Sequence, residues 1–146
     1  MMTDDERATM LRSALDAMYN KTDVDMVDKL YDERCSFHDP TFPIDGVAGM
    51  KNFLRELRRA QPDSHMQVHE IICSGDMCAY RFTAGGTAEA EFFGLPPTGK
   101  SYVMTGMTMC KWEGDRIVEE WTNYDTLGAL QQVGLIPEKL THEATA

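Results

Sequence analysis

Apolar residues recur at three- and four-residue steps through the first sixty positions and at two-residue steps from residue 65 onward. The first period belongs to helices and the second to strands. Met10, Leu11, Ala14, Leu15 and Met18 form one stripe over residues 4–20, and Thr3 or Asp4 stands where a cap belongs. Asn20-Lys21-Thr22 breaks the pattern, and Asp23 is placed to cap a short second helix from Val24 to Tyr31. Cys35 and Phe37 then alternate with Ser36 and His38, a short strand stopped at Asp39-Pro40. Met50, Phe53, Leu54 and Leu57 predict a third helix over residues 48–60. Arg55, Arg58 and Arg59 lie toward its negative end, where cations are favoured.

Residues 66–73 read as a strand and 74–77 as a turn. Residues 78–94 read as a long strand broken by Gly85-Gly86, a pair that marks a bulge or sharp bend. A third long strand covers 101–112, with Gly106 inside it, and a fourth covers 117–125 after a tight turn. A helical turn or two follows, and residues 139–146 are expected to fray. The order predicts an α+β architecture: a curved antiparallel sheet packed against three N-terminal helices, in one domain spanning 1–146. A bent sheet closed by helices is a cone with an interior.

The chain has 146 residues, 42% of them hydrophobic, enough for a core of domain size. A formal net charge of −10 argues against nucleic acid and against anionic membrane surfaces as partners. No apolar run approaches the roughly 18 residues of a membrane span. The N-terminal stretch is acidic and resembles no targeting peptide, so a soluble cytoplasmic protein is expected. Cys35, Cys73, Cys78 and Cys110 read as reduced thiols in or near the core, although Cys73 and Cys78 could face each other across a hairpin.

Chemistry concentrates near the end of the fourth strand. Trp121, Asn123 and Asp125 are two residues apart and therefore share a face. If that face is interior, Asp125 is desolvated and becomes a general acid/base; the competing reading makes it the cap of the helix that starts at Thr126. Glu119 and Glu120 point to opposite faces, so one of them is solvated. His38 and Asp39 are further candidates, set against structural roles in a strand and a turn. Arg81 pairs either with Glu70 or with a substrate oxygen. Phe53 of the third helix and Met104 of the third long strand are expected in the pocket wall. The histidines have no metal-binding spacing, and no phosphate loop is present, so chemistry without cofactor or metal is expected.

The runs GDMCAYRFTAGGTAEAEFFGLPPTGKSY, EGDRIVEEWTNYD and LQQVGLIP resemble the SnoaL-like polyketide cyclases of the nuclear transport factor 2-like superfamily. The resemblance extends from the first helix to Pro137. It implies a cone-shaped fold with a deep apolar pocket, a homodimer or higher oligomer, and cofactor-independent aldol ring closure of an apolar small molecule. It implies Asp125 as proton carrier, His38 as its assistant, Asp39 in reserve, and Trp121 and Asn123 shaping the pocket. Ala88 stands where members often carry a histidine, which favours the alternative of a non-catalytic binding or assembly module. The run CSFHDP also resembles the ketosteroid isomerases, whose proton-shuttling aspartate Asp39 would match. Leu15 and Thr108 stand near that family's oxyanion-hole positions and cannot replace them, although Tyr19 is one helical turn from Leu15.

Overall fold

The computed structural model describes residues 1–139, so all of the tail expected to fray except Lys139, and with it His142, lies outside the described residues. Helix α1 (Asp4–Lys21) opens with a capping box: the Thr3 hydroxyl accepts from the Glu6 amide at 3.1 Å, and the Glu6 carboxylate accepts from the Thr3 amide. Its stripe of Leu11, Ala14, Leu15 and Met18 is completely buried. Each of the three large side chains there contributes about 2 kcal/mol by leaving water. Helix α2 (Asp25–Leu30) has Val24 at its N-cap with no side-chain bond, so Asp23 does not cap it.

Tyr31, expected to end that helix, instead begins strand β1 (Tyr31–His38), which is followed by α3 (Gly46–Ala60). Arg58 of α3 donates to the carbonyls of Tyr19 and Pro62 and to the Thr22 hydroxyl. It thereby fastens the end of α1 to the helix layer, a role beyond that of a cation at a helix end.

The remaining strands are β2 (His65–Ser74), β3 (Met77–Thr87), β4 (Ser101–Glu113) and β5 (Arg116–Tyr124), and helix α4 (Thr126–Gln132) closes the chain. They form one curved, unclosed sheet in the order β1-β5-β4-β3-β2. The sheet is mixed, because β1 runs parallel to β5 while all other neighbours are antiparallel. This corrects the all-antiparallel expectation. The parallel pair joins segments some eighty residues apart, which no local pattern announces.

The second long strand also ends earlier than expected, at Thr87. Residues 88–100 form a loop folded on itself, with Phe92 and Leu95 exchanging backbone hydrogen bonds at 3.0 and 2.9 Å. Gly106 faces Phe82 across β3 and β4, and a Cβ there would overlap the Phe82 ring. The glycine is what lets an aromatic side chain cross the sheet's inner face.

Two corrections concern cysteine and strand register. Cys73 and Cys78, paired across the β2–β3 hairpin, form a disulfide, whereas Cys35 and Cys110 are free and buried. Between β4 and β5, Trp112 pairs with Ile117 but Lys111 pairs with Glu119. Val118 is therefore an extra residue, a bulge in β5. Above it every β5 side chain changes face relative to the alternation that starts at buried Ile117.

The β2–β3 and β4–β5 hairpin turns, at one end of the sheet, are tied together by Arg7. Its buried guanidinium donates to the carbonyls of Gly75 and Gly114 and lies 5.6 Å from the Trp112 ring centre. At the other end β4 extends past the last pair with β5, Gly106–Tyr124. There the Gln132 side chain accepts from the Val103 amide at 2.8 Å and donates to the Val103 carbonyl at 2.9 Å.

Candidate active site

The sheet's concave side and the helices enclose a cavity of about 90 Å³. Nine of the chain's eleven phenylalanines and tyrosines line it; Tyr31 and Phe93 are the exceptions. Among the described residues, no lysine or arginine lines it, and its acidic groups are Asp39 and Glu120. A second cavity of about 80 Å³ lies toward α4 and the 88–98 loop. Phe42, Phe92, Tyr102, Met104 and Tyr124 belong to both walls, so these side chains are the partition between two chambers.

The bulge at Val118 decides which part of β5 reaches this space. Glu120, Thr122 and Tyr124 line the cavity. Glu120 is buried, at 5% exposure, between Cys110 of β4 and Phe37 of β1. Its carboxylate accepts one hydrogen bond, from the Tyr31 hydroxyl at 2.9 Å. Burial pushes its pKa up to about 7; the Tyr31 bond opposes the rise, and the charge of Asp39 adds to it. A carboxyl group that titrates near neutrality serves as base in one form and acid in the other.

Three further groups share the space. The Asp39 carboxylate accepts from the Tyr124 hydroxyl at 2.8 Å and from the amides of Thr41 and Phe42 at 2.9 and 2.8 Å. Thr108 and Thr122 bond to each other at 3.0 Å. Tyr19, from α1, also lines the cavity. Its hydroxyl makes none of the bonds that occupy those of Tyr31, Tyr102 and Tyr124. Burial and the nearby charges of Glu120 and Asp39 keep it protonated far above its ordinary range.

Several residues singled out in the sequence lie elsewhere. Asp125 is exposed and is absent from the walls of both cavities; its carboxylate accepts from the Gly128 amide at 2.9 Å as the N-cap of α4. Trp121 and Asn123 share its side of β5, as alternation requires, but that side is the outer one. His38 borders the cavity, yet its ring stacks on Trp121 at 5.7 Å and its Nε2 pairs with Glu119 at 2.8 Å. Arg81 forms an exposed ion pair with Glu70 at 2.9 Å and does not reach the interior.

Asp39, Phe53 and Met104 do line the cavity, and Ala88 lines the second chamber. Tyr124 was not singled out in the sequence, Tyr19 was noted only for its distance from Leu15, and Glu120 only as one of a pair with one solvated member. The signal for Glu120 was the adjacency of Glu119 and Glu120, which obliges one of them to turn inward. Among the described residues no three His, Cys, Asp or Glu side chains converge as a metal site.

The profile of the SnoaL-like polyketide cyclase family matches residues 9–133, and the chain belongs to that family. Its fold is the SnoaL form of the nuclear transport factor 2-like architecture. TsrD from Streptomyces laurentii superposes with a TM-score of 0.83 at 21% identity, over 92% of this chain and 100% of that one. IdmH from Streptomyces antibioticus, a candidate polyketide cyclase, gives 0.73 at 28% identity over 88% of this chain and 99% of its own. A candidate polyketide cyclase from Acidithiobacillus ferrooxidans gives 0.76 at 28% identity, over 90% and 97% of the two chains. No curated protein matches the sequence. No described helix is long and apolar enough to cross a membrane.

Proposed function

We propose that this chain is a cofactor-independent acid/base enzyme acting on a largely apolar small molecule, with Glu120 as proton carrier. The observation that supports this most directly is a buried carboxyl group on an aromatic cavity wall with no cation beside it. Membership of the cyclase family and two neighbours named as candidate polyketide cyclases point to aldol ring closure.

In that reaction the Glu120 carboxylate takes a proton from a carbon activated by adjacent carbonyls. The resulting enolate carbon attacks a ketone carbon of the same molecule, a carbon–carbon bond forms, and the alkoxide recovers the proton from Glu120. The Tyr31 hydrogen bond orients the carboxyl, and the Tyr19 hydroxyl is placed to donate to the enolate oxygen. The phenylalanine walls keep water from that enolate. Asp125, proposed from the family pattern as the carrier, is assigned here to the α4 cap.

Replacing Glu120 with Gln keeps size and one hydrogen-bonding oxygen while removing the titration. Turnover of an identified substrate should fall about 10²- to 10⁴-fold with unfolding behaviour retained. Asp125→Asn should leave the rate near that of the native chain. Native turnover by Glu120→Gln, or collapse of turnover in Asp125→Asn alone, would return the role to Asp125.

One observation favours the non-catalytic reading. Ala88, in the second chamber, supplies no acid/base group where a histidine is common in the family. A tight ligand that no conditions convert, bound equally by native chain and Glu120→Gln, would support it.

Homo-oligomerisation belongs to the same proposal. Val103, Met107 and Met109 of β4 and Ile72 of β2 are exposed on the sheet's outer face, Met107 at 64%. An apolar patch of this kind suits a second copy. Met107→Lys should lower the mass seen by light scattering, and an unchanged mass would argue against this face. Cytoplasmic residence is proposed from composition alone.

A further inference from the structure

We infer a second ligand-anchoring point, a hydrogen-bond donor at Ser64, at the end of the cavity remote from Glu120. The inference rests on the reading that the aromatic cavity is the ligand site.

Ser64 lies between α3 and β2 and lines the cavity. It is 6% exposed, and its Oγ is buried with no hydrogen-bond partner among the described residues. Leaving a hydroxyl dry and unpaired costs about 1–3 kcal/mol, so such a group in a native core calls for a partner.

The surroundings are built closely. His65, next in sequence, pairs with Gly85, and a Cβ on Gly85 would sit 3.1 Å from the His65 ring and 2.6 Å from the Tyr102 carbonyl oxygen. A Cβ on Gly86 would collide with the Gln61 side chain. Gln61 in turn accepts from the Tyr102 hydroxyl at 2.6 Å. The double glycine therefore leaves room for the Gln61 and His65 side chains beside β3, and the Gln61 amide oxygen is engaged by Tyr102 and makes no bond to the Ser64 hydroxyl. The Ser64 hydroxyl is left without a protein acceptor and close to the ligand space.

The register separates this corner from the proton carrier. Along β4 the inward residues run Cys110, Thr108, Gly106, Met104 and Tyr102. Glu120 pairs with the first of them, while Gly85 and Gly86 of the Ser64 corner pair with Val103 and Tyr102 at the far end. A ligand that touches both must be extended, with an acidic carbon near Glu120 and an oxygen near Ser64.

The oxygen is a neutral acceptor, such as a ketone carbonyl. The absence of lysine and arginine from the wall and the presence of Asp39 and Glu120 disfavour a carboxylate or phosphate. The ligand thus narrows from an apolar molecule to an extended, neutral one that offers a hydrogen-bond acceptor at the Ser64 end.

The test uses acetophenone and its carbon isostere isopropenylbenzene, binding to the full chain at pH 8.5, where the Glu120 carboxylate can only accept. The native chain should bind acetophenone about fivefold more tightly than the isostere, the worth of one hydrogen bond. Ser64→Ala should abolish that preference without weakening the isostere, and Tyr19→Phe should keep it. As a second readout, exchanging the isostere for acetophenone should shift the Ser64 and His65 amide resonances more than those of Glu120 and Trp121. A preference that survives Ser64→Ala, disappears in Tyr19→Phe or shifts the Glu120 amide most would overturn the inference. If the native chain binds both compounds equally, the inference also fails, while the cavity reading stands. If neither compound binds, the cavity reading falls first and this inference with it.

Discussion

Glu119 and Glu120 are neighbours of identical chemistry on opposite faces of β5. Glu119 pairs with His38 on the outer face, while Glu120 is buried against Tyr31 at the cavity wall, with its titration moved to about 7. The same carboxyl group is thus a surface charge at one position and a buried, cavity-lining acid at the next. Alternation puts them on opposite faces, and one inserted residue, Val118, decides which of the two turns inward, because register rather than residue type sets which side chain is desolvated. The outer face carries the ring stack of Trp121 and His38, and the inner face carries the proposed chemistry.

The sharpest way to break this contrast is deletion of Val118. Restoring simple alternation must send either Ile117 or the Glu120 row outward. Since Ile117 is wholly buried, we expect a loss of more than about 4 kcal/mol of stability, read from urea denaturation. A deletion variant of native stability would mean that the bulge does not set the face.

Next in size is the pH dependence. A carboxyl group whose pKa is raised on folding holds its proton in the native chain while the unfolded chain has released it. Stability is therefore greatest below the unfolded value near 4.5, falls as pH rises toward about 7, and is level above that. The loss attributable to Glu120 is about 3 kcal/mol. Denaturant melts at pH 5 and pH 8 should show Glu120→Gln gaining on the native chain by that order. Glu119→Gln should stay within about 0.5 kcal/mol at both. A flat difference for Glu120→Gln would show that the group ionises freely in the folded chain.

The smallest effect tests the outer end of the strand. Asp125→Ala removes the bond to the Gly128 amide and should cost about 1 kcal/mol in thermal unfolding. Any loss of turnover should follow the loss of folded protein. A catalytic defect at full foldedness would contradict the capping role.

Much of the architecture could be read from local pattern. The α1 stripe, the switch from helical to alternating period at His65 and the turns at Gly75 and Gly114 all appear as the periodicity requires. Trp121, Asn123 and Asp125 also share a face as expected. What the pattern did not contain was which face. Alternation counted from Ile117 sends 119, 121 and 123 inward, and only pairing with β4 shows the extra residue that reverses them. The parallel union of β1 with β5 and the Cys73–Cys78 bond are likewise contacts between segments. Phe53, Met104 and Asp39 line the cavity; Asp125 does not, because a carboxylate before a helix finds nearby amides to accept from.

The Gln132 side chain has a consequence of another kind. Where β5 ends, the backbone of β4 at Val103 would present a donor and an acceptor at an open sheet border, an invitation to any extended segment of another chain. A primary amide offers the same donor–acceptor pair as a peptide unit, and Gln132 satisfies both groups as one more strand residue would. A side chain of a seven-residue helix thus acts as a one-residue false strand, and protection against runaway strand addition at that border rests on it.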